Sequence, residues 1–307
     1  MIKKLILILL LITNITFLAN CQEKIFGNYQ KPALLLKLEA YQKEHKNMVK
    51  ALGFQISYDT ILAYAPVDII PFARTVGGGQ LSFLTDFSSI KDLANAPIVY
   101  GRPEFIGSEA TPISLFIMAK DLRSYLTFTA SLNEEYYGSV MLYLAFLDSE
   151  NEFYEEEKER ITTYIKKSRK NGKRSKLLKQ FGIDQMPDPI KMLEDVHTWR
   201  NKHATIMTED GLGIVYGTSR LTQERFNGDE EDLGSIKTFL ANSSLPQRLK
   251  WYRDVLYTDF YWMKAKTKRA IKPLVISSLN KDGYVREAEA LESNYQLNSR
   301  FDIENND

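Results

Sequence analysis

The sequence has little cysteine and histidine, with one cysteine, Cys21, and three histidines in 307 residues. A single cysteine cannot form a disulfide within the chain, so the fold must be held by its apolar core. Lysine and arginine number 40 and aspartate and glutamate 39, which excludes a strong overall field toward nucleic acid. Hydrophobic residues make up 44% of the chain, enough for one large domain or two small ones.

Familiar catalytic motifs are missing as well. The chain has no Gly-x-Ser-x-Gly elbow, no Walker loop and no His-Glu-x-x-His pair. His197 and His203 are six residues apart, which places them on different sides of a helix and excludes a same-face metal pair. The sequence therefore predicts no catalytic, metal-binding or cofactor-binding residue. It favours a protein that is not an enzyme while leaving that question open.

The N-terminal segment has the order of a secretory signal. Two lysines precede an apolar run at residues 5–12, which is shorter than the roughly 20 residues of a membrane-spanning helix. Residues 1–20 are therefore predicted to be a signal peptide. The sequence Leu18-Ala19-Asn20-Cys21 resembles a bacterial lipobox, which favours lipidation of Cys21 and a membrane-anchored lipoprotein in the periplasm or at the cell surface. Cleavage before Gln22, giving a soluble periplasmic or secreted protein, is the alternative.

Strand patterns follow in the first half of the chain. A helical spacing of apolar residues first predicts a helix at 31–52. Short β-favouring runs then predict an antiparallel meander at residues 69–73, 81–84 and 97–100 and one more strand at 114–118. Residues 121–131 are predicted to form a short helix. Gly77-Gly78-Gly79 stands between two of these strands, so we interpret it as a hairpin turn and not as a phosphate-binding loop.

The second half has helical patterns. Helices are predicted at residues 134–148, 152–170, 175–181, 188–202 and from 235 onward, with a hairpin at 204–216. The fold class is therefore α+β, a small antiparallel β-sheet packed with helices and followed by a mostly helical second half. We predict a signal peptide at 1–20, an α+β domain at 25–150, a charged helix and linker at 151–174, a mostly helical region at 175–294 and a flexible tail at 295–307.

Charged and aromatic residues supply the candidate sites. Carboxylates cluster at Glu134-Glu135, Glu209-Asp210 and residues 229–232, and each group is predicted to lie in a turn or solvated loop. Residues 166–179 are rich in lysine and arginine and are predicted to be solvated and ion-paired, with anion binding as the alternative. Four aromatic residues are candidates for binding a partner, because one buried helix face cannot hold all of them: Trp251, Tyr257, Tyr261 and Trp262.

Several pieces of the first half share one pattern. A strand ending in Pro71-Phe72-Ala73 leads into the glycine turn, and a Phe83-Leu84-Thr85-Asp86-Phe87 strand, a Pro97-Ile98-Val99 strand and a helix ending at Tyr125-Leu126 follow. With these pieces the chain resembles the SUKH superfamily (Smi/Knr-like). Residues 176–182 and 208–215 resemble an extension seen in some bacterial members, so residues 25–150 would form the SUKH-like domain.

This resemblance implies a binding function. Members of the superfamily are mostly α+β binding domains, and many bacterial ones are immunity proteins that neutralise a toxin. The chain is therefore expected to be an exported, non-enzymatic binding protein. Its expected partners are a protein, with a toxin as the candidate, and a membrane through the lipidated N-terminus, but no nucleic acid.

Two alternatives stay open beside the immunity function. The first is a hydrolase acting on envelope glycans, which the carboxylate groups and the aromatic helix motivate. It predicts a cleft with two facing carboxylates, one of which has a shifted pKa. The second is a structural lipoprotein without a discrete ligand, which predicts a broad exposed aromatic patch.

Overall fold

The α+β fold class is confirmed by a computed structural model, which contains a five-stranded antiparallel sheet and several helices. The structure describes residues 25–45, 51–59, 62, 65–103, 113–132, 154–168, 173–220, 226, 232–256 and 263–298. Cys21 and the helix predicted at 134–148 lie outside these residues. Within them, every helix is too short or too polar to cross a membrane.

The sheet is a simple meander in which each strand pairs with the next along the chain. Its strands are β1 (Phe54–Ile56), β2 (Ile69–Thr75), β3 (Gln80–Leu84), β4 (Ile98–Pro103) and β5 (Ile113–Ala119). All four pairings are antiparallel, with Ile70 opposite Phe83 and Leu81 opposite Tyr100. The predicted meander is therefore confirmed, and β1 extends it at one edge.

A tight hairpin joins β2 and β3 at the predicted glycine turn. Gly78 has a φ of +81°, a conformation that suits glycine, and the Thr75 amide donates to the Gly79 carbonyl at 2.8 Å. A Cβ atom on Gly79 would lie closer than 3.0 Å to the ring of the buried residue Tyr100. The turn therefore requires glycine at 78 for its backbone and at 79 for its packing.

Nine helices are described and are numbered here in chain order. They are α1 (Ala33–Glu44), α2 (Leu122–Ala130), α3 (Tyr154–Ser168), α4 (Lys173–Lys179), α5 (Pro189–His203), α6 (Leu233–Asn242), α7 (Leu245–Asp254), α8 (Ala265–Lys281) and α9 (Val285–Asn298). Aspartate caps fix where α2 and α5 begin, because Asp121 and Asp188 accept hydrogen bonds from backbone amides of the first turn. Helix α4 occupies part of the predicted linker, and α9 extends into the predicted tail.

Both faces of the sheet are covered. Alternate residues such as Phe72 and Phe83 point into one apolar cluster with α1, α2 and α4, whereas Val99 and Ile117 pack on the opposite face against Val196 of α5. A third cluster fills the C-terminal helices. It includes Val67, just before β2, and Phe87, just after β3, so the sheet and the C-terminal helices share a core at this end of the sheet.

Candidate functional site

Within the described part of the chain, a group of buried charged side chains lies at the junction between the sheet and the C-terminal helices. It consists of three aspartates and two arginines, each with a side chain no more than 1% exposed. We call these five side chains the buried ion cluster: Asp68, Asp86, Asp210, Arg200 and Arg253.

The sheet supplies two of the aspartates. Asp68 directly precedes β2 and Asp86 follows β3 by two residues, so the antiparallel pairing brings both to one end of the sheet. Thr85 fixes this end, because its amide and its hydroxyl both donate to the Asp68 carbonyl, at 2.9 and 2.8 Å. Asp86, Phe87 and Ser88 then form a left-handed turn with φ values of +48°, +50° and +63°. Such a backbone costs roughly 1–2 kcal/mol per non-glycine residue, which the surrounding contacts must offset.

Arg200 of α5 forms a bidentate ion pair with Asp86. Its Nη1 and Nη2 atoms donate to the two carboxylate oxygens at 2.7 and 2.6 Å, the bidentate geometry that gives strong and directional ion pairs. The same guanidinium donates to the carbonyls of Leu212 and Gly213 at 2.7 and 2.5 Å. Arg200 therefore joins the end of β3 to the hairpin at 204–216.

Arg253 of α7 lies among the other two carboxylates. Its Nη2 is 3.2 Å from Asp68, its Nε is 3.1 Å from Asp210, and its Nη1 donates to the Gly213 carbonyl at 2.5 Å. The Asp210 carboxylate is held in place by the Leu212 amide at 3.0 Å. Both arginines therefore share one main-chain acceptor, Gly213, and together they tie α5 and α7 to the sheet.

Burial controls the protonation of this cluster. Three carboxylates and two guanidiniums leave one negative charge in excess. Burial raises the pKa of Asp68 to about 6, against the opposing effect of Arg253. Burial alone would lower the pKa of Arg253, but Asp68 and Asp210 outweigh it and raise that pKa. As the pH falls through about 6, a proton taken up by Asp68 therefore relieves the excess charge.

Two further charged groups flank the cluster. Arg286 of α9 donates to the carbonyls of Val67 and Ile69, on either side of Asp68, at 2.6 and 3.2 Å. Next to Arg253, Asp254 accepts from the Glu209 amide at 2.8 Å, and burial raises its pKa to about 6. Helix α9 is therefore attached to the start of β2, and helix α7 is attached to the hairpin.

The arrangement is suited to holding elements together and not to chemistry on an outside molecule. Its charges pair with one another, although Arg253 faces Asp68 and Asp210 at ion-pair distance without a hydrogen bond between them. Among the described residues no set of three His, Cys, Asp or Glu is placed to bind a metal ion. Glu209 and Asp210 lie in a turn, which is one of the two predicted settings, but the Asp210 side chain is not solvated, because its carboxylate is buried beside Arg253. The glycan-hydrolase alternative requires a carboxylate with a shifted pKa in a cleft. Asp68 has such a pKa, but its side chain is 0% exposed and cannot reach a substrate.

The predicted partner-binding aromatics fall into two groups. Trp251 lies on α7 with 5% of its surface exposed, packed against Phe226, Phe239 and Tyr252 with ring centroids 6.0–6.4 Å apart. Its indole therefore contributes to the core, unlike the surface position that we expected for it. Tyr257, Tyr261 and Trp262 lie outside the described residues, as does the lipidation candidate Cys21, so these assignments stay predictions.

A different tryptophan is on the surface. Trp199 of α5 is 37% exposed and stacks on His203 with ring centroids 4.9 Å apart, and Met207 beyond the helix is 41% exposed. Exposed tryptophan and methionine are typical of protein contact sites. The sequence analysis missed this pair. No local pattern marks it, because Trp199 follows Val196 by three residues and continues the row of buried residues Ile190, Leu193 and Val196.

Comparisons with known proteins add no relative. Neither the models of protein families nor the curated proteins contain a match to this chain. The functional argument therefore rests on the residues, their geometry and the resemblance described above.

Proposed function

We propose that the chain is an exported, non-enzymatic binding protein of the immunity type, which neutralises a toxin by binding to it. The observation that carries the proposal is the burial of the ion cluster. Carboxylates that an acid–base enzyme would present in a cleft are paired here with Arg200 and Arg253 inside the molecule. At the surface the described residues offer the stacked Trp199–His203 pair and Met207, which are the kind of groups that contact a protein.

Binding to the product of a neighbouring toxin gene tests this proposal, because immunity genes usually lie directly downstream of a large toxin gene. The adjacent gene product is purified, its affinity for the full chain is measured by calorimetry, and growth of toxin-producing cells is compared with and without the chain. Tight binding and restored growth support the proposal. An adjacent toxin that neither binds nor is neutralised contradicts it.

The contact surface is tested with a matched pair of variants. Trp199→Ala removes an exposed aromatic side chain, and we expect toxin binding to weaken by at least about tenfold if this ring is a central contact. Leu36→Ala removes an apolar side chain that is 48% exposed on α1, and it serves as the control. Equal affinities of the two variants would place the contact elsewhere, with Tyr257, Tyr261 and Trp262 as the next candidates.

The proposal that the protein is exported rests only on the signal-like sequence of its N-terminal segment. Mass spectrometry of the mature chain from its native host distinguishes a lipid on Cys21, a free N-terminus at Gln22 and an uncleaved segment. A lipidated Cys21 supports a membrane-anchored binding protein. An uncleaved N-terminus in the cytosol would remove export from the proposal and leave the binding function to be judged separately.

A further inference from the structure

We propose that a groove between α3 and the beginning of α5 binds an acidic segment of a protein partner. The groove has a volume of about 380 Å³. Three lysines lie along it, Lys158 and Lys166 from α3 and Lys191 from α5. This proposal rests on the binding function proposed above and names one surface through which that function would act.

Two of the three lysines form ion pairs with carboxylates of the protein itself. Lys158 pairs with Glu194 at 2.7 Å across the groove, and Lys191 pairs with Asp195 at 2.6 Å on the outer face of α5. The other carboxylate that lines the groove, Asp188, is engaged as the helix cap and accepts from the Lys191 amide at 3.0 Å. The acidic groups of the groove are therefore occupied.

Lys166 is the exception. It is exposed, and neither it nor its neighbour Lys167 has an ion-pair partner within the described part of the chain. The residues three and four positions before Lys166 are Thr163 and Thr162, so no acidic residue is placed for an ion pair within the helix. The prediction that the basic end of this helix is ion-paired is thus not met at these two lysines.

The stretch of sequence that contains Lys166 and Lys167 is one-sided in charge. From residue 161 to residue 183 the chain carries eight lysines and arginines and no aspartate or glutamate. The exposed acidic residues of α3, such as Glu159, lie at its opposite end, roughly 10 Å along the axis at 1.5 Å per residue. Charge complementarity therefore favours an anionic partner.

The shape of the groove favours a polypeptide over a membrane. Its floor contains the buried residues Ile165, Pro189 and Ile190, which lie below a rim of lysines. A groove that offers apolar residues together with lysines can accommodate a chain that carries both carboxylate and apolar side chains. A bilayer surface is broad and would instead be met by an exposed basic face with apolar side chains on the outside.

Fluorescence anisotropy with labelled poly-L-glutamate as the probe tests the proposal on the full chain at low ionic strength, where exposed charges are least screened. We expect the wild type to bind the probe and the Lys166→Glu/Lys167→Glu variant to bind it at least about tenfold more weakly. The matched control is Lys237→Glu/Lys266→Glu, which makes the same charge change at exposed lysines of α6 and α8. Its affinity should stay within about twofold of the wild type.

Three results would overturn the proposal. One is no binding of the probe, and another is an equal loss in both double variants, which would indicate a general charge effect. The third is stronger binding to vesicles with roughly 30% phosphatidylglycerol in phosphatidylcholine, lost in the Lys166→Glu/Lys167→Glu variant, which would assign the lysines to a membrane. A toxin that binds wild type and variant equally well would leave the immunity function intact and remove only this surface. Probe binding of the expected kind without any toxin binding would support the groove and contradict the immunity function.

Discussion

Gly213 shows how a residue without a side chain organises charged ones. Its carbonyl accepts from Arg200 and from Arg253, both at 2.5 Å, so two guanidiniums of like charge meet at one oxygen. The backbone there has a φ of +62°, and a Cβ atom would lie 2.7 Å from that of Ala204. The position therefore depends on glycine for both conformation and space.

Arg253 should be the most sensitive single residue of the ion cluster. Replacing it with methionine keeps most of the volume but leaves Asp68 and Asp210 without their cation in a site closed to water. Breaking a buried ion pair from one side typically costs roughly 3–5 kcal/mol, and we expect a loss of that order in the free energy of unfolding measured with urea.

A matched control distinguishes the loss of a buried ion pair from the loss of a positive charge at the surface. Lys191→Met removes a lysine from an exposed ion pair with Asp195, so its unfolding free energy should equal that of the wild type within error. In the Arg253→Met background, Asp68→Asn should cost less than it does alone, since the carboxylate it removes has already lost its partner. Similar losses for Arg253→Met and Lys191→Met would show that the cluster contributes little to stability.

Asp68 should make stability depend on pH in an unusual direction. Its pKa of about 6 in the folded protein lies above its ordinary value of 3.8, so between these values only the folded state holds the proton. The stabilising contribution is complete below the unfolded pKa and is lost as the pH rises through the folded pKa. When the pH falls from about 7.5 to about 5, the unfolding free energy of the wild type should therefore rise relative to that of Asp68→Asn.

Urea denaturation at several pH values measures this difference. Asp254 has a similarly raised pKa but titrates in both proteins, so it should largely cancel. Asp232→Asn provides the control, because hydrogen bonds from Ser235 and Gly234 lower the pKa of this exposed carboxyl and move its titration away from the tested range. A wild type that loses stability relative to Asp68→Asn on acidification would contradict the assignment of the proton.

At the scale of elements, the β2–β3 hairpin provides a contrast between neighbouring glycines. Gly79→Ala would bring a methyl group against the buried ring of Tyr100 in β4, which cannot move aside without opening the core. Such overpacking costs roughly 1–3 kcal/mol. Gly77→Ala meets no atom within 4 Å, so it should leave the unfolding free energy almost unchanged. Thermal unfolding of both variants provides the measurement, and equal melting temperatures would show that the hairpin tolerates a side chain at residue 79.

Most elements were predictable from local patterns because local physics determines them. Alternating apolar residues and the glycine turn predicted β2 and β3, and Asp121 and Asp188 stand where helix caps are expected. The ion cluster was not predictable in this way. Asp86 and Arg200 are 114 residues apart, and no periodicity within either segment connects them.

The choice of Trp251 as a surface contact was wrong for the same reason. Trp251 was selected because many aromatic residues surround it in the sequence, yet Phe226 and Phe239 from other segments enclose it. Local density of aromatics does not distinguish a core from a contact surface. The exposure of Trp199 was no easier to predict, because this residue continues the three-residue spacing of the buried Ile190, Leu193 and Val196.

At the scale of the whole molecule, the sheet and the C-terminal helices should unfold together. Arg253 and Arg286 connect α7 and α9 to the start of β2, and Val67 and Phe87 lie in the core of the helices. Native-state hydrogen exchange should therefore give the same opening free energy for the most protected amides of β3 and of α8. Two clearly different values would show that the two parts unfold independently. In Arg253→Met the two values should move apart, since one of the links is lost.

The long-range links also determine when the structure can form. Arg286 reaches back 219 residues to the Val67 carbonyl, so the start of β2 is completed by a helix that is synthesised much later. Contacts of this separation close slowly and only after the intervening chain exists. The links that Arg253 and Arg286 make to the sheet can therefore form only after those residues have been synthesised, and until then this end of the sheet lacks its helical partners. For a chain with a predicted export signal, that interval is the one in which an unfolded polypeptide can still be threaded across a membrane.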